Sequence, residues 1–79
     1  MQQILFDNEY RKIGAKILYY RKLNQMTQKE LAQKTNLSPA QISKIEYGKG
    51  NYCISSIFII AKTLNIKYST LFENLKGSD

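Results

Sequence analysis

Two helix-start signals follow one another closely in the middle of the chain, and they constrain the fold more than any other feature. Thr27-Gln28-Lys29-Glu30 is a capping box, in which the threonine hydroxyl and the glutamate carboxylate each accept a hydrogen bond from an unpaired backbone N–H. Ser38-Pro39-Ala40-Gln41 repeats the signal, with proline at the first helical position. Between them, Asn36 tolerates the left-handed conformation that ends a helix in a tight turn. The sequence therefore predicts two short helices joined by the turn Asn36-Leu37-Ser38.

Helical periodicity predicts three further helices around this pair. The first runs from about Asn8 to Leu23 and the fifth from Tyr68 to Leu75, while Gly48 marks the end of the third. The segment from Ile54 to Ile60 is rich in β-branched residues, which favour strands. A helix is nevertheless predicted there, because apolar residues recur at helical spacing, namely Ile54, Ile57, Ala61 and Leu64. The predicted fold is all-α, a compact five-helix bundle.

The charge of the chain is basic and unevenly distributed. The net charge is +6 over 79 residues, a length that fits one domain. Residues 1–50 hold nine Lys and Arg against four Asp and Glu, whereas residues 51–79 hold three against two. This asymmetry indicates a polyanionic partner, either a nucleic acid or an anionic membrane surface. The membrane surface is the weaker alternative, because the apolar stripes of the predicted helices are all needed for a core.

Residue content argues against several other classes of protein. There is no His, Cys53 is the only cysteine, and no Gly-rich phosphate loop occurs, so we expect no catalytic residue, metal site, cofactor or disulfide. No apolar run approaches the roughly 18 residues that span a bilayer, and the N-terminus lacks the layout of a signal peptide. We therefore expect a cytoplasmic protein that binds no membrane.

A set of residues at characteristic spacing surrounds the two central helices, namely Gly14, Arg21, Thr27-Gln28, Leu31-Ala32, Ser38, Ile42-Ser43, Glu46, Gly48 and Ile60-Ala61-Lys62. With this set, roughly residues 11–72 resemble the Cro/repressor, or XRE-like, family of helix-turn-helix transcriptional regulators. The resemblance implies a lambda-repressor-like DNA-binding domain over 11–72 with the motif at 28–47, after an extension at 1–10 and before a helix end and frayed tail at 73–79. The family often has Gly at Asn36, Pro at Tyr52, and Ser or Thr at Cys53, so these departures bear on the loop and on the cap of the fourth helix.

The resemblance also implies which residues face DNA. Gln28 would donate to a backbone phosphate, with an ordinary solvated glutamine as the alternative. The other implied DNA-binding positions are Ser38, Pro39, Ala40, Gln41, Ser43, Lys44, Tyr47, Lys49 and Asn51. Lys44 can donate to guanine or to a phosphate, Gln41 can pair with adenine or serve only in its capping box, and Ala40 can touch a thymine methyl. Tyr47 would either bind a phosphate or pack against the helix end.

Two further expectations concern contacts that hold the protein together, one within the chain and one between two copies of it. The family pattern pairs Arg21 with Glu46 between the first and third helices. Leu71, Phe72 and Leu75 suggest a homodimer interface, with completion of the monomer core as the alternative. A two-fold dimer would require an operator made of an inverted repeat.

The predicted function is sequence-specific binding of double-stranded DNA by a small transcriptional regulator. A phage-type repressor and a restriction–modification controller both have this pattern. The competing hypothesis is an antitoxin-like subunit that keeps the fold but binds a protein. No small-molecule ligand is expected, because the predicted domain leaves no room for a ligand-binding module.

Overall fold

The computed structural model describes residues 7–49 and 52–73, and these form five helices without a strand. The helices are α1 (Asp7–Leu23), α2 (Gln28–Thr35), α3 (Pro39–Glu46), α4 (Ile54–Thr63) and α5 (Tyr68–Phe72). This arrangement confirms the predicted all-α bundle, including the helix at α4. None of the helices in the described ranges is both long and apolar enough to cross a membrane.

The two predicted capping boxes are present with both of their hydrogen bonds. Thr27 Oγ1 accepts from the Glu30 N–H at 3.0 Å, and Glu30 Oε1 accepts from the Thr27 N–H at 2.8 Å. Ser38 and Gln41 repeat the exchange at 3.1 and 2.9 Å. Asn36 ends α2 in the left-handed conformation, with φ 63°. Local backbone chemistry thus fixes the lengths of α2 and α3 and the tight turn between them.

The hydrophobic core lies between the packed faces of the five helices. α1 packs on α3 and α5, and α2 packs on α3 and α4. The large side chains that are fully buried are Ile17, Leu31, Ile42, Ile57, Ile60, Leu64 and Leu71. α1 and α3 approach so closely at Gly14 that a Cβ atom there would lie 2.2 Å from the carbonyl oxygen of Ile45. The glycine therefore sets how near α3 lies to the body of the protein.

The predicted end of α5 at Leu75 was wrong, since the helix ends at Phe72 and Glu73 is extended. The ammonium group of Lys16 donates to the carbonyl of Thr70 at 3.3 Å and also to the carbonyl of Glu73. A continuing helix would use the Thr70 carbonyl for its own next backbone N–H. The tertiary bond from α1 therefore favours an early end to α5.

The segment before α4 departs from the family pattern in its capping. Cys53 occupies the N-cap position, but its side chain makes no capping hydrogen bond. The ring of Tyr52 meets the ring of Tyr10 edge-on, with centroids 5.3 Å apart. Its buried hydroxyl has no hydrogen-bond partner among residues 7–49 and 52–73. Desolvation by burial, followed by the nearby Tyr10, raises the pKa of Tyr52 to about 12, so this side chain is a neutral phenol at physiological pH.

Candidate nucleic-acid interface

The third helix has one buried side and one exposed side. Ile42, Ile45 and Glu46 are buried and hold the helix on the core. The exposed residues at or near the helix are Ser38, Pro39, Ala40, Gln41, Lys44, Tyr47 and Lys49, with Ser43 half-buried. The described residues of the expected DNA-binding set are therefore exposed on or beside α3, except half-buried Ser43 and half-buried Gln28, which lies on α2. Asn51 lies outside the described residues.

A buried ion pair anchors the end of α3. Arg21 Nε donates to Glu46 Oε2 at 2.6 Å, and Arg21 Nη2 donates to Glu46 Oε1 at 3.1 Å. Arg21 Nη1 also donates to the carbonyl of Met26 at 2.7 Å. The expected pairing of Arg21 with Glu46 is therefore present. It ties the last residue of α3 to α1 and to the connection before α2.

Gln28 has a partner that the sequence did not reveal. Its Nε2 donates to Glu46 Oε1 at 2.9 Å, and the side chain is half-buried. An amide nitrogen carries two N–H groups, so one remains for a further acceptor. Gln28 is therefore not an ordinary solvated glutamine. One of its amide N–H groups binds Glu46, and the other can donate to a further acceptor.

The side chain of Gln41 caps the start of α3, and this limits how it can bind a ligand. Its Oε1 accepts the Ser38 N–H, which uses one of the two lone pairs of that oxygen. A bidentate pair with adenine needs both the amide oxygen and the amide nitrogen. Gln41 can form that pair only if its oxygen is shared with the backbone, whereas its Nε2 can donate without disturbing the cap.

Two clefts with lysine side chains flank α3. The first lies between the α1–α2 connection and the start of α3 and is lined by Arg21, Lys22, Gln25, Met26, Thr27, Gln28, Lys29 and Pro39. The second lies between α3 and the start of α4 and is lined by Gln41, Lys44, Ile45, Lys49, Tyr52, Cys53 and Ser56. At 100° per residue, Pro39 lies about 160° around α3 from Gln41 and about 140° from Lys44, which line the second cleft. The exposed face of α3 thus has a basic cleft on each side.

Tyr47 is exposed beside this face. Its side chain keeps 69% of its surface accessible, so it is not packed against the helix end. Gly48 follows with φ 77° and turns the chain away from α3. The hydroxyl of Tyr47 is therefore accessible to an acceptor at the end of α3.

The expected dimer residues do not form an exposed apolar surface. Leu71 has no exposed surface and belongs to the core, so that assignment is corrected, because packing against α1 and α4 removes its side chain from solvent. Phe72 is half-buried against the same core, and Leu75 lies outside the described residues. Ile54 was also expected to face inward, but it is exposed.

Exposed apolar side chains instead occupy α4 and the start of α5. We define the α4–α5 face as Ile54, Phe58, Ile59 and Tyr68, all of which are exposed. The rings of Phe58 and Tyr68 are in contact, with centroids 4.8 Å apart. The face is distinct from the exposed surface of α3, because neither cleft includes any of its residues.

Comparison with known proteins identifies the family. Residues 17–71, which include α2, the turn and α3, match the family model HTH_3, described as helix-turn-helix. The chain belongs to the helix-turn-helix family HTH_3. Its α2, the turn Asn36-Leu37-Ser38 and α3 are the two helices and the turn that give this family its name.

Several relatives share the sequence or the fold of this HTH_3 protein. The uncharacterized HTH-type transcriptional regulator MJ0272 of Methanocaldococcus jannaschii is 39% identical over 57 residues, which are 72% of this chain and 86% of the relative. The restriction–modification controller protein C.AhdI from Aeromonas hydrophila is 25% identical with a TM-score of 0.76, covering 81% of this chain and 93% of that chain. The controller C.Esp1396I, solved as a tetramer with its natural 35 base-pair operator, is 35% identical with a TM-score of 0.73, covering 86% of this chain and 90% of that chain.

Sequence reasoning missed two lysines of this HTH_3 domain that the fold brings to the candidate interface. Lys22 lies in the last turn of α1 and Lys29 in the first turn of α2, and both line the first cleft beside Gln28. The signal in the sequence was the basic excess of residues 1–50. Composition alone could not show which of these lysines share a surface with α3.

Proposed function

We propose that the protein is a transcriptional regulator that binds a short double-stranded DNA operator, with α3 as the recognition helix in the major groove. The DNA-binding unit is residues 11–72, the protein acts in the cytoplasm, and it is not an enzyme. The observation that carries the proposal is the exposed face of α3 between two lysine-bearing clefts. A helix in the major groove has a phosphate strand on each side, so the clefts suit the two backbones.

We divide the DNA-binding residues by the chemistry that each can supply. Lys44, Gln41 and Ala40 face bases, with Pro39 and Ser43 beside them, because they lie on or next to the exposed side of α3. We assign phosphate binding to Lys22, Gln28 and Lys29 in the first cleft, to Ser38, Tyr47 and Lys49 around α3, and to Asn51, which lies outside the described residues. Phosphate contacts supply affinity, whereas base contacts supply the choice of sequence.

The relatives favour a regulator of the restriction–modification controller type over a phage-type repressor. Two controllers share the fold over 93% and 90% of their own chains. One of them was solved bound to its operator. A protein of this kind needs no ligand-binding domain, and its regulation follows from its own concentration and from competition for DNA.

Substitutions on α3 and α2 test the division between base and phosphate contacts. Lys44→Ala is expected to weaken discrimination at particular base pairs by about 1–3 kcal/mol, because only a base-edge contact depends on the sequence. Gln28→Ala is expected to weaken binding to all duplexes alike. The measurement is the dissociation constant for a selected operator and for each of its single base-pair variants.

Lys34→Ala is the matched control, because Lys34 is exposed on α2 but lines neither cleft. It is expected to change neither affinity nor discrimination beyond a small electrostatic effect. If Lys44→Ala weakened every duplex equally, Lys44 would bind phosphate instead of a base. If the unsubstituted protein bound DNA weakly and independently of salt, the antitoxin-like alternative would replace the proposed function.

We further propose that the working unit is a homodimer formed through the α4–α5 face. A single small domain covers few base pairs, so a monomer would discriminate poorly against the excess of competing genomic sites. Exposed apolar side chains on α4 and α5, with the rings of Phe58 and Tyr68 in contact, indicate an interaction surface, and the occupant proposed here is another copy of the chain. Two-fold symmetry then requires inverted half-sites centred about ten base pairs, or roughly 34–36 Å, apart.

Phe58→Glu tests the dimer. It is expected to yield a folded monomer with much weaker operator binding, because a charge in the apolar interface would have to be desolvated. Phe58 is 45% exposed in the monomer, so its replacement should leave the fold intact. Sedimentation equilibrium measures the mass, and Tyr19→Glu, at an exposed apolar position of α1, is the control expected to remain dimeric. An unchanged mass for Phe58→Glu would rule out this interface.

A further inference from the structure

The carboxylate of Glu46 is the centre of a buried network that reaches the candidate DNA surface. It accepts two hydrogen bonds from Arg21 and one from Gln28 Nε2. The side chain of Glu46 is 1% exposed and that of Arg21 is 8% exposed, whereas Gln28 is half-buried and lines the first cleft. Arg21 also lines this cleft, but it is buried, so Gln28 is the more accessible link between the network and the cleft.

The chemistry of a carboxylate dictates how the amide of Gln28 is turned. An ionised carboxylate only accepts hydrogen bonds, so the Gln28 amide must present its nitrogen to Glu46 and turn its oxygen away. A phosphate also only accepts. The single side-chain group of Gln28 that can bind a phosphate is therefore the second N–H on the same nitrogen. Without Glu46, the amide could present either its oxygen or its nitrogen to the cleft.

The network also reduces the conformational entropy that the Gln28 side chain would lose when DNA binds. A glutamine side chain loses much rotamer freedom when it is immobilised, and in a complex this loss weakens affinity. The bond to Glu46 immobilises Gln28 in the protein without DNA. The guanidinium of Arg21 lies against the same carboxylate and offsets its charge, so a phosphate near Gln28 does not face an unpaired anion.

We propose that Glu46 is a positioning residue for DNA binding, which orients the amide of Gln28 toward a backbone phosphate while its own side chain stays buried. This inference rests on the proposed function. It assigns Glu46 a second role in addition to anchoring α3. Its effect on affinity is transmitted through Gln28, so it should disappear when Gln28 can no longer donate.

A double-mutant cycle of Glu46→Gln and Gln28→Met tests this transmission. Methionine has the length of glutamine without its donors, and glutamine at position 46 removes the charge with little change of shape. Gln28→Met is expected to lower affinity about tenfold for all duplexes, as expected for loss of one hydrogen bond to a charged group. The fold-loss of affinity caused by Glu46→Gln is expected to be at least about three times larger when Gln28 is present than when methionine replaces it. Equal effects of Glu46→Gln in both backgrounds would overturn the proposal.

A second variant leaves the buried ion pair intact, which keeps the test valid if Glu46→Gln does not fold. Gln28→Asn retains the amide but is one methylene shorter, so it cannot hold the same bond to Glu46 while reaching the same phosphate. Its affinity is expected to match that of Gln28→Met, whereas wild-type affinity would overturn the proposal. Lys34→Ala is again the control. Failure of the unsubstituted protein to bind any duplex would overturn the proposed function as well, which distinguishes the two failures.

A measurement without DNA separates positioning from a purely structural role. In the unsubstituted protein, the two side-chain N–H signals of Gln28 in a ¹⁵N-resolved NMR spectrum are expected to be well separated and to mark an ordered amide. In folded Glu46→Gln protein they are expected to move toward the positions of an exposed glutamine. Exposed-type signals in the unsubstituted protein would contradict the orientation that the proposal requires.

Discussion

Arg21→Ala should lower the free energy of unfolding by about 3–5 kcal/mol, because it leaves a buried carboxylate without its counter-charge. The side chain of Glu46 is 1% exposed beside Arg21, and in the variant it would keep only the hydrogen bond from Gln28. The carbonyl of Met26 would lose its donor as well. Small domains have a total stability of about 5–15 kcal/mol, so this variant should be partly or largely unfolded at physiological temperature.

Urea denaturation followed by circular dichroism measures the effect of Arg21→Ala. Lys22→Ala is the control, since Lys22 is exposed at the next position of α1 and should change stability by less than about 0.5 kcal/mol. A double variant, Arg21→Met with Glu46→Leu, should recover most of the loss, because replacing both partners removes the unpaired charge. Arg21→Ala protein with wild-type stability would show that the pair contributes nothing to the fold.

Gly14→Ala should also destabilise the protein strongly, although alanine is the better helix former by about 1 kcal/mol. The added Cβ would lie 2.2 Å from the carbonyl oxygen of Ile45 and 2.7 Å from that of Glu46. Backbone atoms cannot move aside as a flexible side chain can, so α3 would have to shift away from α1. Overpacking of this kind costs about 1–3 kcal/mol or more.

The control for Gly14→Ala is Ala15→Leu on the same helix. Ala15 is exposed, so the larger side chain enters solvent and stability should change by less than about 0.5 kcal/mol. Operator affinity offers a second measurement, because a shift of α3 would move the candidate recognition surface. If Gly14→Ala proved as stable as the unsubstituted protein, α1 and α3 would not approach as closely as described.

The sequence predicted the central motif well, because its determinants are local. The capping boxes at Thr27 and Ser38 use bonds between residues three positions apart, and Asn36 ends α2 through its own backbone conformation. Such interactions depend little on the rest of the fold. The pairing of Arg21 with Glu46 required the family resemblance, since nothing in their spacing brings the two together.

Features that depend on tertiary packing were predicted poorly. The end of α5 lies where Lys16 on α1 donates to the carbonyls of Thr70 and Glu73. Periodicity identified Ile54 and Leu71 as apolar members of helices, but it could not tell which would face solvent. The bond from Gln28 to Glu46 joins two helices across the motif, so only the fold could reveal it.

The most direct test of the central claim compares a selected operator with a scrambled duplex. The operator is selected from random duplex DNA, and both dissociation constants are measured between low and physiological salt. We expect about 10³-fold or greater preference for the selected sequence, and a fall of about 0.9 in log K per unit of log salt for each phosphate contact. Equal affinity for the two duplexes, or affinity that does not change with salt, would contradict sequence-specific DNA binding through α3 and its flanking clefts.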